Sequence, residues 1–410
     1  MELNFNEILL LEKDRKYQES LVHLNRLIDK EKNNPNYYHL KGTLHYNLDE
    51  FSDAIKSFSI ALSIKKDDHI IYYLRGLSYF NLNDFDYAKK DFEIALSLKK
   101  NYPEVYYALG VLHFESFNNT ESIKYLLESI KLKNNFKQPI IQLIKTLSHT
   151  SNVTINNSDI IAKHKEINKI FIDYSSDKYI SDDIVKNFLT ESSKIIKNNF
   201  EDLGFKGTQI YRKNQNFLNC KRHKKIFNTY NVIPEFCFEC YKVLIEPENI
   251  LDLIKLYIIF DNIKLEKNNL RKCMIEVRPN VSGKYKGLIY CSSINEAKII
   301  EKKINILLNK NLNKKLLCKI KRGCTEYGMK YIKYNNLEGD ILEYKEEWKN
   351  SENMIEKKYP HLISSRKNKP TIKGASLNDI LIVKNWLRYS KTIEDNTGNL
   401  LSELMIDSKF

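Results

Sequence analysis

The residues best suited to hold a ligand are two close pairs, Cys220-x2-His223 and Cys237-x2-Cys240, separated by thirteen residues. That spacing suits tetrahedral zinc, because each pair spans adjacent vertices and the intervening loop returns the chain to the ion. Pro234, just before the second pair, stiffens the return. Four protein ligands leave no open vertex, so the pattern predicts a structural ion and not a catalytic one. The competing reading makes Cys240 the start of a buried strand and His223 one residue of a basic run, KRHKK. A redox role for Cys237-Phe-Glu-Cys240 fits less well. Such dithiols sit at helix N-termini, where the dipole lowers the thiol pKa, and this pair runs into a strand-like segment.

The other cysteines suggest less chemistry. Cys273, Cys291 and Cys318 fall in strand-like runs and read as small core residues. Cys324 follows Gly323 in the basic turn KIKRGC and is expected to be exposed; a nucleophile there would need a partner base that the sequence does not supply. There is no phosphate loop, nucleophile elbow, zinc-protease helix or dinucleotide fingerprint. An enzyme with a cysteine- or zinc-dependent site in residues 207–335 is therefore the alternative to a binding protein. Seven cysteines, an odd number, argue against a disulfide framework and for a reducing compartment. No apolar run approaches the ~18–20 residues of a membrane span. Met1 to Lys16 lacks the pattern of a secretory signal, so the expected location is cytoplasmic.

The elements that must position the two pairs follow directly. Residues 240–246 (CYKVLIE) read as a strand and 249–262 as a helix, followed by strands at 272–278 (KCMIEVR) and 287–292 (GLIYCS). A helix from Ile294 to Leu308 and a strand at 316–321 complete a β-α-β-β-α-β order. This is the split arrangement of ferredoxin-like domains, and it predicts such a domain over 207–335. Lys286-Gly-Leu-Ile-Tyr290, with the helix after it, resembles the third strand and second helix of an RNA-recognition motif. The match has Leu288 where that motif wants an aromatic residue. Residues 201–330 carry 26 basic against 13 acidic side chains, while the rest of the chain is nearly balanced. The expected anion-binding set is Lys286, Tyr290, Lys319, Lys321 and Arg322, with nucleic acid as one partner; a merely solvated basic surface is the simpler alternative.

The N-terminal part has a different logic. Gly42, Gly76 and Gly110 recur every 34 residues, and with them Tyr-x3-Gly, a small residue (Ala54, Ala88, Ser122), a bulky one (Phe58, Phe92, Leu126) and another small one (Ala61, Ala95, Ser129). A fixed period of this length signals stacked supersecondary units. The pattern resembles the tetratricopeptide repeat, a helix-turn-helix unit. Repeats are expected at 35–68, 69–102 and 103–136, after a degenerate first repeat at 1–34 and before a capping helix at 138–148. In all, the sequence predicts an α+β protein: a helical solenoid over 1–149, a helical linker over 150–206, the basic zinc-binding domain, and a helical extension over 336–410.

The resemblance implies that the first helix of each repeat lines a concave surface. The facing rows are then His39, Tyr73, Tyr107 and Tyr46, Phe80, Phe114, with Thr43, Leu77 and Val111 between them. These rows contain no Lys or Asn of the kind that clamps a carboxylate, so an apolar peptide or helix is the expected partner. The bland alternative is that these aromatics pack between repeats.

Overall fold

The computed structural model describes residues 3–155, 158–170, 179–196, 200, 203–213, 220–279, 281–312, 314–359 and 369–405. The chain divides into two compact units, Met1–Thr146 and Leu147–Phe410.

The first unit is built from antiparallel helix pairs: α1 (Phe5–Lys13) with α2 (Tyr17–Lys30), α3 (Pro35–Asn47) with α4 (Phe51–Ile64), α5 (His69–Asn81) with α6 (Phe85–Leu98), and α7 (Pro103–Glu115) with α8 (Asn119–Leu132). Then comes α9 (Lys137–Leu147). Helix starts follow from capping chemistry. Asn34 and Asp68 accept backbone N–H bonds at the heads of α3 and α5, and Pro35 and Pro103 occupy first-turn positions where no N–H is needed. The turn inside each pair passes through one left-handed residue: Arg15, Asp49, Asn83 and Phe117, with φ between 60° and 63°. These four positions share the 34-residue spacing, so the first pair has the same turn although it lacks the glycine.

The recurring glycines are there for closeness. A Cβ on Gly42, Gly76 or Gly110 would come within 2.5–2.7 Å of Phe58, Phe92 or Leu126, so the bulky residue of the second helix packs onto bare backbone of the first. Ala54, Phe58 and Ala61, and likewise Ala88, Phe92 and Ala95, are fully buried.

The second unit opens with α10 (Asp159–Ile170) and α11 (Asp182–Ile196). Of the helical linker expected over 150–206, residues 171–178 lie outside the described residues. Next come β1 (Gln209–Arg212), α12 (Cys220–Tyr230), a 3-10 turn at Glu235–Phe238, β2 (Tyr241–Glu246) and α13 (Ile250–Asn262). They are followed by β3 (Arg271–Ile275), β4 (Tyr285–Cys291), α14 (Ile294–Leu312) and β5 (Leu317–Arg322). After two short 3-10 turns come α15 (Trp348–Lys358), α16 (Leu377–Thr392) and α17 (Asn396–Ser402).

The five strands form one antiparallel sheet in the order β1-β3-β4-β2-β5. Gly287 in β4 lets α13 press onto the sheet, since a Cβ there would meet Leu256 at 2.3 Å. The opposite face carries a cluster of Leu244, Met274 and Leu288 with Tyr290 packed against it.

Residues 369–405 belong to this unit, held by buried polar bonds. Arg212, only 3% exposed, pairs with Asp261 at 2.9 Å and with Asp379 at 3.1 Å, and its guanidinium lies 4.5 Å from the Tyr257 ring centre. Asp379 also closes a capping box with Ser376 at the head of α16. Asp395 accepts from the Tyr285 hydroxyl at 2.6 Å and from the Ile250 N–H at 2.8 Å. Among the described residues, no helix is long and apolar enough to cross a membrane.

Candidate metal corner and partner-binding surface

His223, Cys237 and Cys240 lie at one corner of the second unit, with Cys220 at the head of the helix that carries His223, and beside them is a cysteine that the spacing did not include. Cys220 opens α12, Cys237 lies in the 3-10 turn, and Cys240 immediately precedes β2. Strands β2 and β5 pair with Tyr241 opposite Arg322, which brings Gly323 and Cys324 beside Cys240. The Gly323 N–H donates to the Cys240 carbonyl at 2.8 Å, and Lys242 Nζ donates to the Gly323 carbonyl at 2.9 Å. A Cβ on Gly323 would sit 2.3 Å from Cys240 Sγ, so only glycine leaves room for that sulfur. Cys324 packs on the same core as Cys237, whose Sγ lies 3.5 Å from His223 Nδ1 and 4.0 Å from the Tyr327 hydroxyl. That core joins Ile226, Ile233, Tyr327, Tyr334 and Trp348. Tyr334 fixes the turn by donating to the Cys237 carbonyl at 2.9 Å.

His223 is 1% exposed, and both its ring nitrogens are engaged. Nε2 lies 3.2 Å from an Arg222 guanidinium nitrogen, and Nδ1 lies 3.5 Å from Cys237 Sγ. Arginine can only donate, so Nε2 accepts; Nδ1 then carries the proton and donates to sulfur. Burial, reinforced by the Arg222 charge, pushes the imidazole pKa down to about 4 and keeps the ring neutral. As placed, no three His, Cys, Asp or Glu side chains among the described residues stand in a ready metal-binding arrangement.

The anion-binding set divides, with Lys286 and Arg322 buried and Tyr290, Lys319 and Lys321 half-buried. Lys286 is 8% exposed and paired with Glu276 at 2.9 Å. Arg322 is 4% exposed, donating to the Tyr334 and Phe238 carbonyls and, at 2.7 Å, to the Tyr241 hydroxyl. Lys319 pairs with Glu246 at 2.6 Å. Burial raises the Tyr290 pKa, and burial lowers that of Lys321. Lys272, on the face that would have to stay open for stacked bases, is pushed down to about 8 by burial. The expectation of an open, basic, base-stacking sheet is therefore corrected at Lys286 and Arg322: the strands place both inward, where carboxylate or carbonyl oxygens already satisfy them.

In the first unit, His39, Tyr46, Tyr73, Phe80 and Tyr107 are half-buried, as are Thr43, Leu77 and Val111. Part of each aromatic ring is used internally. Tyr73 packs on Phe92 and Tyr102, with centroids 6.1 and 5.4 Å away, Phe80 packs on Phe85 at 5.6 Å, and Tyr107 packs on Phe136 at 5.6 Å. Asn81 Nδ2 donates to the Tyr46 hydroxyl at 3.2 Å, linking adjacent repeats. Phe114 requires a correction: it is 1% exposed, with the Lys145 ammonium 5.1 Å from its ring centre, and offers no surface to a partner.

Residues 70–102 and 103–136 each match the family model described as Tetratricopeptide repeat, and this part of the chain carries tetratricopeptide repeats. Among solved structures, MamA is 16% identical, with 36% of this chain and 84% of that one covered at a TM-score of 0.33. A thermophilic repeat protein of Thermus thermophilus, TTC0263, is also 16% identical, covering 34% of this chain and 77% of its own at 0.32. The first repeat domain of Spaghetti (RPAP3), solved with an HSP90 peptide, is 20% identical and covers 27% and 89% at 0.27. The curated proteins contain no match to this chain.

Proposed function

We propose that the chain is a protein-interaction adaptor whose tetratricopeptide repeats hold an apolar peptide or helix. The observation that carries this reading is the alignment of half-buried Tyr73, Leu77 and Phe80 on α5 with Tyr107 and Val111 on α7, at matching positions of adjacent repeats. Partly exposed aromatic and aliphatic side chains at matching helical positions supply anchor sites of the kind that dominate peptide binding. The test uses the full-length protein and a displayed peptide library. Apolar sequences with helically spaced anchors should be enriched over peptides with acidic C-termini. A Leu77→Lys, Val111→Lys variant should lose that enrichment while keeping its far-ultraviolet circular dichroism. Equal enrichment by the double variant would remove this surface as the binding site.

The second unit reads as a ferredoxin-like arrangement with one extra edge strand. This is supported by the order β5-β2-β4-β3, with α13 and α14 connecting the split pairs and β1 added beside β3. Its expected structural zinc remains part of the proposal, with Cys220, Cys237 and Cys240 as ligands and the fourth place lying between His223, which stands against Cys237, and Cys324, which packs on the same core.

A further inference from the structure

The zinc reading leaves the fourth ligand open between His223 and Cys324, and these two differ in what they have to offer. A histidine ligates through a ring nitrogen lone pair. His223 has none to give: Nε2 accepts from Arg222, and Nδ1 carries the proton directed at Cys237. Reversing that tautomer would turn the Nε2 proton onto a guanidinium whose other nitrogen is held by Glu356. Cys324 packs against the core that holds Cys237, and it follows Gly323, whose N–H bonds the Cys240 carbonyl, so its neighbours are themselves expected ligands.

The backbone around Cys324 is also shaped for close approach. The β2–β5 pairing continues through the Gly323–Cys240 bond, so the Cys237–Cys240 turn and the end of β5 form two facing corners. Cys324 lies within electrostatic reach of Cys220 and Cys240 as well as Cys237, and Cys220 and Cys240 are within reach of each other. Cations stand around the group. Lys242 acts on Cys240 and Cys324, Lys224 on Cys220 and Cys324, and Lys272 on Cys220; Glu326 is the nearby opposing charge.

We propose that Cys220, Cys237, Cys240 and Cys324 form a four-thiolate structural zinc site, and that His223 is the supporting donor to the Cys237 sulfur. This deepens the zinc reading above and rests on it. Zinc binding would require the four sulfurs to turn toward one point by side-chain rotation, with the backbone held by the paired strands and the Tyr334 bond. Four thiolates on Zn²⁺ leave a net charge of −2, which Lys242, Lys224 and Lys272 offset in part. An N–H donated to a ligand sulfur orients that ligand, which gives His223 a role without coordination.

The test is zinc-edge X-ray absorption on full-length protein purified from zinc-supplemented medium, together with metal analysis of variants. About one zinc per chain is expected, with four sulfur neighbours at about 2.3 Å and no nitrogen at about 2.0 Å. Cys324→Ser should lower zinc affinity at least tenfold, whereas His223→Gln should keep the ion and its four-sulfur shell. A shell of three sulfurs and one nitrogen, with zinc lost from His223→Gln and retained by Cys324→Ser, would overturn the Cys324 assignment and leave the zinc reading standing. Protein that holds no zinc, with the cysteines found as free thiols or as a Cys237–Cys324 disulfide, would overturn both. The wild-type absorption measurement decides the ligand set even if a cysteine variant fails to fold.

Discussion

Arg75 on α5 grips Asp91 on α6 with two parallel hydrogen bonds, Nε to Oδ2 at 2.7 Å and Nη2 to Oδ1 at 2.8 Å. The remaining arm of the guanidinium reaches Ser59 Oγ on α4 at 3.1 Å. One side chain thus ties both helices of a repeat to the second helix of the repeat before it. Asp91 is nearly fully buried and faces this guanidinium.

Removing the arginine should therefore cost more than its exposure suggests. Breaking a buried pair from one side strands the other charge, a loss of roughly 3 kcal/mol. Arg75→Ala should lower the chemical-denaturation midpoint markedly. Arg75→Met with Asp91→Leu should recover much of the loss, because no charge is left without its partner. If Arg75→Ala and the double variant unfold at the same midpoint, the pair carries no such dependence.

Phe117 occupies the left-handed turn position that Asp49 and Asn83 fill in the two preceding repeats. A side chain without local hydrogen-bonding ability costs on the order of 1 kcal/mol there, and asparagine costs less. Phe117 is 40% exposed, so little buried surface is lost on replacement. Phe117→Asn should raise the melting temperature of the repeat unit by a few degrees. A fall would mean that the ring's contacts outweigh the backbone strain.

His164 on α10 accepts the Leu377 N–H through Nδ1 at 3.4 Å and is buried. Burial lowers its pKa from 6.5 to about 4, only partly opposed by Asp379. The unfolded chain takes up the proton first as pH falls, so stability is full above pH 6.5, declines between 6.5 and about 4, and levels off below. The linked loss is on the order of 3 kcal/mol. His164→Gln, which has no proton to take up, should flatten that part of the pH–stability curve measured by denaturant titration. An unchanged slope would show that other groups set the acid response.

The repeats were legible in the sequence because their constraint is local. A Cβ-free contact at Gly76 needs Phe92 sixteen residues later and nowhere else, so the pattern recurs with the period. Strands β2 to β5 and helices α13 and α14 were legible for a similar reason, alternating or helical apolar runs bounded by turn residues. Strand β1 was not, since QIYR is four residues long and is stabilised by Arg212 bonding to Asp261 and Asp379, far away in sequence. Helix α12 was hidden because KRHKK reads as solvated charge until His223 and Ile226 are seen to be buried. Spacing also could not reveal that Cys324 sits against Cys237, since strand pairing brings them together across 87 residues. The one local hint was Gly323, a residue that makes room for another chain segment.

The pairing of Arg212 with Asp379 sets a timetable. The carboxylate lies 167 residues after the guanidinium, so a ribosome delivers the cation long before its second counter-ion. Repeats α3 to α8 satisfy most of their contacts with immediate neighbours and can assemble as they emerge. The second unit must wait for α16 before its buried arginine is fully neutralised. A nascent chain would thus display a finished binding solenoid tethered to an unfinished partner unit, and a premature stop upstream of Asp379 would release the first without the second.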